Sequence, residues 1–274
     1  MTPKMLIRQF LGPLLLPGIA VRNYLLPPYA IILLYHSISN ERNTIDPVSI
    51  AVFNSHMHYL SKYFSVISLE QLQSSLYSQI PSQERSFQKP FVVITFDDGY
   101  LDNFTNALPV LDHYNFKATF FLATSAIGCG IDKRLQNKYG LKIPMMDWDH
   151  IKSLLHRGHS IGSHTSTHRT ISELATDQKI REFTISQQII FSNTGLLTKL
   201  FSFPFGDKHS YRPIDYQLAS NYYDICCNNI RGKNIKGQIN LLDLHRYAIN
   251  GAMSFNEFKM ELRGCYDVIE RFRP

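Results

Sequence analysis

Several kinds of protein announce themselves by features that this chain lacks. It has four cysteines, Cys129, Cys226, Cys227 and Cys265, and no Cys-x-x-Cys pair. That argues against a disulfide framework or a thiolate metal site and reads as reduced, mostly buried thiols, with vicinal Cys226 and Cys227 filling a strand. Charged residues make up only 18% and form no dense Lys/Arg run, so a nucleic-acid surface is not expected. The formal net charge of +6 suits ordinary solubility as well as an acidic polymer or an anionic membrane face. There is no internal repeat or low-complexity tract, and no linker divides the chain after about Pro28.

The apolar run at residues 10–20 is too short to span a bilayer and contains Pro13 and Pro17. It follows Lys4 and Arg8. Two readings stay open: a signal-peptide core with Gly18 and Ala20 as small cleavage residues, or a segment lying on a membrane or packing on the domain. The prolines and unpaired cysteines favour the second. Residues 1–27 are therefore set apart as a membrane-peripheral or signal-like segment, and residues 28–274 as a single domain. The expected location is cytoplasmic or membrane-associated, or secreted or periplasmic if the segment is a signal. The oligomeric state is not legible.

What is present is a folded profile, 44% hydrophobic, in which short apolar runs alternate with helical patterns. Strands are predicted at residues 31–35, 64–67, 91–96, 118–123, 160–162, 200–203, 224–227 and 246–249. Capping boxes open helices at Ser68 with Gln71, Thr170 with Glu173 and Ser254 with Glu257. Phe255, Phe258, Leu262 and Tyr266 recur at helical spacing as a core stripe. Seven or eight strand–helix units imply an α/β fold, an irregular parallel barrel whose chemistry gathers at the strand C-termini.

Three strand ends carry that chemistry. Val92-Val93-Ile94-Thr95-Phe96 runs straight into Asp97-Asp98-Gly99. Two adjacent acids at the end of a buried strand repel each other unless a cation or proton relieves them; a surface turn would not follow so apolar a run. Gly162-Ser163-His164-Thr165-Ser166-Thr167-His168 sets two histidines four apart, on one side of a helical turn. Thr165 excludes the His-Glu-x-x-His protease pattern. Two imidazoles and an acid from another strand end would leave open positions on a metal, Zn²⁺ foremost, with Fe²⁺ or Co²⁺ as alternatives. Phe201-Ser202-Phe203-Pro204-Phe205-Gly206 is a third strand running into a turn.

Together and in this order, the three resemble the polysaccharide deacetylase family, carbohydrate esterase family four, which includes chitin, peptidoglycan and poly-N-acetylglucosamine deacetylases. Its Thr-Phe-Asp-Asp-Gly matches at Thr95 to Gly99, its His-Ser/Thr-x-x-His at His164 to His168, and its Pro-Tyr-Gly at Pro204 to Gly206 with Phe205 for Tyr. Leu34-Tyr35-His36 is similar to the family's opening strand, and Gly158-His159-Ser160-Ile161-Gly162 to its lead-in to the histidines. The resemblance implies a distorted (β/α) barrel with about seven strands. It also implies removal of N-acetyl groups from the amino sugars of a polysaccharide, related glycan or glycolipid by attack of a metal-bound water. Asp98, His164 and His168 would be the ligands, Asp97 the general base, and the Phe205 N–H the oxyanion donor. O-deacetylation of another small acylated compound would use the same chemistry. A catalytically inactive glycan-binding barrel would be expected to have lost a ligand.

The sequence also departs from the family. Many members carry an arginine in the third motif that orients the catalytic Asp; Ser202 occupies its place. The single tryptophan, Trp148, precedes the histidines instead of following the third motif, and could pack at a helix start or line the acetyl pocket. The late Leu242-Asp243-Leu244-His245-Arg246 offers His245 as general acid but also resembles a Leu-Pro-Arg variant. His36, ending the first strand, is the other candidate. His56, His58, His113, His150, His156 and His209 read as surface residues.

Overall fold

The structure, a computed structural model, describes residues 28–41, 44–77 and 89–270. The expected N-terminal segment, residues 1–27, lies outside them. No helix among the described residues is long and apolar enough to cross a membrane.

The chain alternates strands and helices as the pattern requires. In order they are β1 (Tyr29–Tyr35), α1 (Ile50–Tyr63), β2 (Ser65–Val66), α2 (Leu72–Tyr77), β3 (Phe91–Phe96), a π turn (Asn103–Ala107) leading into α3 (Leu108–His113), β4 (Thr119–Leu122), α4 (Lys133–Tyr139), α5 (Trp148–His156), β5 (Ser160–Ser163), α6 (Thr176–Thr194), β6 (Leu200–Ser202), α7 (Pro213–Ala219), β7 (Ile225–Cys227), β8 (Asn234–Ile235), β9 (Tyr247–Ala248), α8 (Phe255–Arg263) and α9 (Cys265–Glu270). The sheet runs β7-β6-β5-β4-β3-β1-β8, with β2 also on β3 and β9 also on β1. Among the named strands of the described residues, only the β8 pairing is antiparallel. Seven strands in one path, curled and flanked by helices, make the distorted (β/α) barrel. Its gap is bridged by one late stretch: Leu244 pairs with Cys227 of β7, while Tyr247 and Ala248 pair with Leu33 and Leu34 of β1.

Alternation along the strands separates two cores. Ile31, Leu33 and Tyr35 of β1, Val92, Ile94 and Phe96 of β3, and Phe120 and Leu122 of β4 pack outward against the helices. Ala30, Ile32, Val93, Phe121, Leu200, Cys227 and Leu244 form a second cluster inside the barrel, completed by Leu69, Leu72 and Leu76. Because β1 and β3 are parallel, with Ile32 opposite Val93 and Leu34 opposite Thr95, the inward series continues to His36 and Asp97. The barrel is thus apolar at its base and polar at the strand C-termini.

One capping expectation changes. Ser68 and Ser254 cap as predicted, but Thr170 makes no side-chain cap; a 3₁₀ turn (Ile171–Glu173) intervenes and α6 starts only at Thr176. Cys129 is exposed, while the other three cysteines are buried thiols.

His56, expected at the surface, is fully buried on the inner face of α1. Its Nδ1 lies 3.1 Å from the Tyr35 hydroxyl, and its ring stacks on Phe258 at 3.7 Å. Burial pushes its pKa down to about 3. His159 is likewise held to about 4 by burial, its Nδ1 accepting the Ala118 N–H. An unfolded chain protonates its histidines near pH 6.5, so below that pH the unfolded state binds more protons and stability falls as pH drops. Urea unfolding should show a lower midpoint at pH 4.5 than at pH 7. His56→Leu should flatten part of that slope; an unchanged slope would remove His56 from the account.

Candidate active site

Asp97 follows β3 on the inward side and is almost fully buried. Its carboxylate is gripped end-on by Arg246, with Nη1 donating to Oδ1 at 2.8 Å and Nη2 to Oδ2 at 2.7 Å. The same guanidinium donates to the Ser202 hydroxyl (2.8 Å), to Thr95 Oγ1 (3.2 Å) and, through Nε, to the Asn228 carbonyl (2.6 Å). Ser202 Oγ in turn donates to Asp97 Oδ2 at 3.3 Å. Burial alone would raise the Asp97 pKa, but the charge and hydrogen bonds of Arg246 outweigh it and hold the carboxyl below its ordinary value. The arginine absent from the third motif is therefore replaced by a guanidinium from the opposite edge of the barrel, with Ser202 leaving it room.

Asp98 points elsewhere because its backbone turns left-handed, at φ +75°, followed by Gly99 at φ +89°. At that φ a side chain would be strained, and a Cβ at Gly99 would also lie 2.7 Å from Ile127 Cδ1, so the turn favours glycine. Asp98 Oδ2 accepts from the Tyr100 hydroxyl at 2.8 Å. Its Oδ1 lies 3.1 Å from His168 Nε2 and is buried with no directed hydrogen bond. One donor atom each from Asp98, His164 and His168 falls within 4.8 Å of the others.

His164 Nδ1 sits 2.8 Å from the Ser202 carbonyl, which can only accept, so that nitrogen carries the proton and Nε2 presents a lone pair inward. Burial pushes the His164 pKa down to about 4 and keeps the ring neutral. A buried carboxylate oxygen without a hydrogen bond, grouped with two imidazoles, is the donor set of a divalent metal site, and the residues fit one.

The two histidines do not lie on a helical turn, as their spacing suggested. They flank a bend in which Thr165 and His168 have φ of +65° and +57°. α6 holds that bend: Glu182 accepts the Ser166 and Thr167 N–H groups at 2.9 and 2.8 Å, and Ser186 meets Ser163 Oγ at 2.7 Å. The third turn is pinned by Asn229 N–H donating to the Gly206 carbonyl at 2.8 Å. A Cβ on Gly206 would lie 2.6 Å from that nitrogen. Phe205, at φ +62°, exposes its ring beside His168, with 4.9 Å between centroids, and its N–H makes no hydrogen bond among the described residues. Asp98, Thr165, His168 and Phe205 are four of the six positive-φ residues other than glycine among the described residues. Strained backbone of this kind, costing about 1–3 kcal/mol each, persists where a site requires it.

The remaining candidates separate. His36 flanks Asp97 on the inner face, its carbonyl held by Asn103 Nδ2 at 2.7 Å. His245 lies against Gly232, with Nδ1 2.4 Å from where a Cβ on that glycine would stand, and alternation with inward Arg246 turns it away from the carboxylates. Trp148 opens α5 behind the Asp147 cap and packs, partly buried, against the outer core.

The polysaccharide deacetylase family profile matches residues 84–220, half of the chain. The chain belongs to the polysaccharide deacetylase family. YxkH of Bacillus subtilis (strain 168), which carries a polysaccharide-deacetylase name, is 31% identical over 175 residues, covering 64% of this chain and 56% of that protein. The peptidoglycan-N-acetylglucosamine deacetylase PgdA of Listeria monocytogenes is 27% identical over 148 residues, covering 54% of this chain and 28% of PgdA. The chain thus spans about half or less of these relatives. Among solved structures, the Streptococcus pyogenes deacetylase PplD in complex with acetate superposes with a TM-score of 0.69 at 22% identity, over 86% of this chain and 98% of that one. IcaB from Ammonifex degensii gives 0.70 at 18%, over 86% and 97%. At these identities the structural likeness speaks for the fold.

The profile match contains all three motifs of this polysaccharide deacetylase family member but leaves out β1, with His36, and Arg246. Arg246 is the residue that sequence reasoning missed as a site component. Its signal was present: an arginine two residues from an inward-facing Leu244 at a strand edge. Glu182, Tyr100 and Ser186 had no such signal, because side chains that brace loops follow no spacing.

Proposed function

We propose that the protein is a metal-dependent hydrolase that removes N-acetyl groups from amino sugars of a polysaccharide or related glycan. The observation that carries this reading is the pairing of two differently held carboxylates: Asp98 grouped with His164 and His168, and Asp97 fixed beside them by Arg246. Asp98, His164 and His168 would hold the ion, Zn²⁺ by the nitrogen-rich donor set. A divalent ion there supplies a Lewis acid for the acetyl carbonyl and lowers the pKa of water. Asp97, ionised and immobile, takes the proton of the attacking water. The unused Phe205 N–H donates to the developing oxyanion. His36, beside Asp97 on the inner face, is the better placed of the two histidines to protonate the departing amine. Family membership and the name of the PgdA relative support an N-acetylglucosamine-containing substrate.

Acetate release tests this. The purified protein loaded with Zn²⁺ should release acetate from N-acetylglucosamine oligomers or a lipid-linked N-acetyl sugar, lose the activity to a chelator and regain it with added metal. Release from O-acetylated sugars alone, or from no substrate, would overturn the proposal.

A further inference from the structure

We propose that Arg134 is a built-in counter-ion that stands in for the metal at Asp98 and competes with it; this rests on reading Asp98, His164 and His168 as metal ligands. The stretch between β4 and α5 folds across the Asp98 turn, with Leu101 N–H donating to the Pro144 carbonyl (2.9 Å) and Met146 N–H to that of Gly99 (3.0 Å). It carries α4, whose first residues place Arg134 Nη2 3.5 Å from Asp98 Oδ1, the oxygen a metal would take.

The guanidinium is not free to swing clear. Asp132, buried at the α4 N-cap, accepts from Arg134 Nε at 3.0 Å and Nη2 at 2.6 Å, and also caps the helix through the Arg134 N–H at 2.9 Å. Arg134 Nη1 is itself buried, with no hydrogen-bond partner.

The two arginines of the site therefore differ in kind. Arg246 occupies both oxygens of Asp97 at 2.7–2.8 Å, a permanent partner. Arg134 reaches one oxygen of Asp98 at a longer distance and shares it with His168. Without metal, its charge relieves the repulsion between two adjacent buried carboxylates. With metal, a fixed cation a few ångströms from a dication opposes binding, in part offset by the Asp132 charge behind it.

The test is Zn²⁺ affinity of the full chain, by competition with a chromophoric chelator, together with melting in the absence of metal. Arg134→Gln should bind Zn²⁺ roughly tenfold tighter or more, and its metal-free form should melt lower. Arg134→Lys, which keeps the charge, should stay near the parent in affinity. Arg134→Gln affinity that is equal or weaker, or equal shifts in Gln and Lys, would overturn the proposal. If Arg134→Gln does not fold, the double variant Asp132→Asn/Arg134→Gln keeps a capping side chain and removes both charges. It should still bind more tightly than the parent. A parent chain that takes up no zinc would instead sink the metal-site reading.

Discussion

Replacing Asp97 by Asn is expected to lower kcat for acetate release by about 10²–10⁴-fold, the usual worth of a positioned general base, while leaving metal binding intact. The geometry separates the two acids cleanly. Asp97 faces Arg246 and Ser202 on the inner side of the barrel, while the left-handed turn at Asp98 aims that carboxylate at His168. Asn keeps the size of Asp97 but cannot take a proton, so added metal should not rescue it. Asp98→Asn should bind metal more weakly and recover part of its activity as metal is added. Circular dichroism of both variants checks that the loss is not unfolding, since an amide nitrogen against the Arg246 guanidinium carries its own cost. Rescue of Asp97→Asn by metal, and not of Asp98→Asn, would reverse the two roles.

Arg246→Met should cost about 3–5 kcal/mol of stability, because it strands a buried carboxylate whose partner is gone. It also strips a donor from the Asn228 carbonyl, Thr95 and Ser202. Activity should fall with it, since Asp97 loses both its orientation and the charge that keeps it ionised. Urea unfolding of the metal-loaded protein reads the first effect. The double variant Asp97→Asn/Arg246→Met should recover part of the stability, as removing a buried pair whole costs less than breaking it. A loss below about 1 kcal/mol in the single variant would mean that water reaches Asp97 and that the clamp matters little.

Much of this barrel is legible in the chain because its strands obey alternation so strictly. Each predicted strand has a counterpart, and β3 coincides with its predicted bounds. The strand missed, β8, is two residues long and carries no apolar pattern. His56 misled because a polar residue on an amphipathic helix is ordinarily turned outward, whereas here a tyrosine hydroxyl and a phenylalanine face accept it. The site was readable where neighbours in sequence are neighbours in chemistry, as in Asp97-Asp98 and His164 with His168. It was unreadable where the partner is remote. The His164–His168 spacing suggested a helix, but two left-handed residues and Glu182 bring the rings together by another route.

The bridging stretch that carries Arg246 has a consequence for the order in which the protein comes into being. Asp97 and its guanidinium stand 149 positions apart, and the segment that bridges β7 and β1 is synthesised after all three motifs. A growing chain that has not reached Arg246 already contains all three motifs, the acids and both histidines. It has nothing to neutralise Asp97, and its barrel has an open seam. On the proposed reading, such a nascent chain would hold the three motifs with Asp97 unsupported, and competence would arrive together with closure of the sheet. On that reading folding and activation would be one event, and a fragment truncated before the seam is sealed would carry the three motifs without the clamp on Asp97.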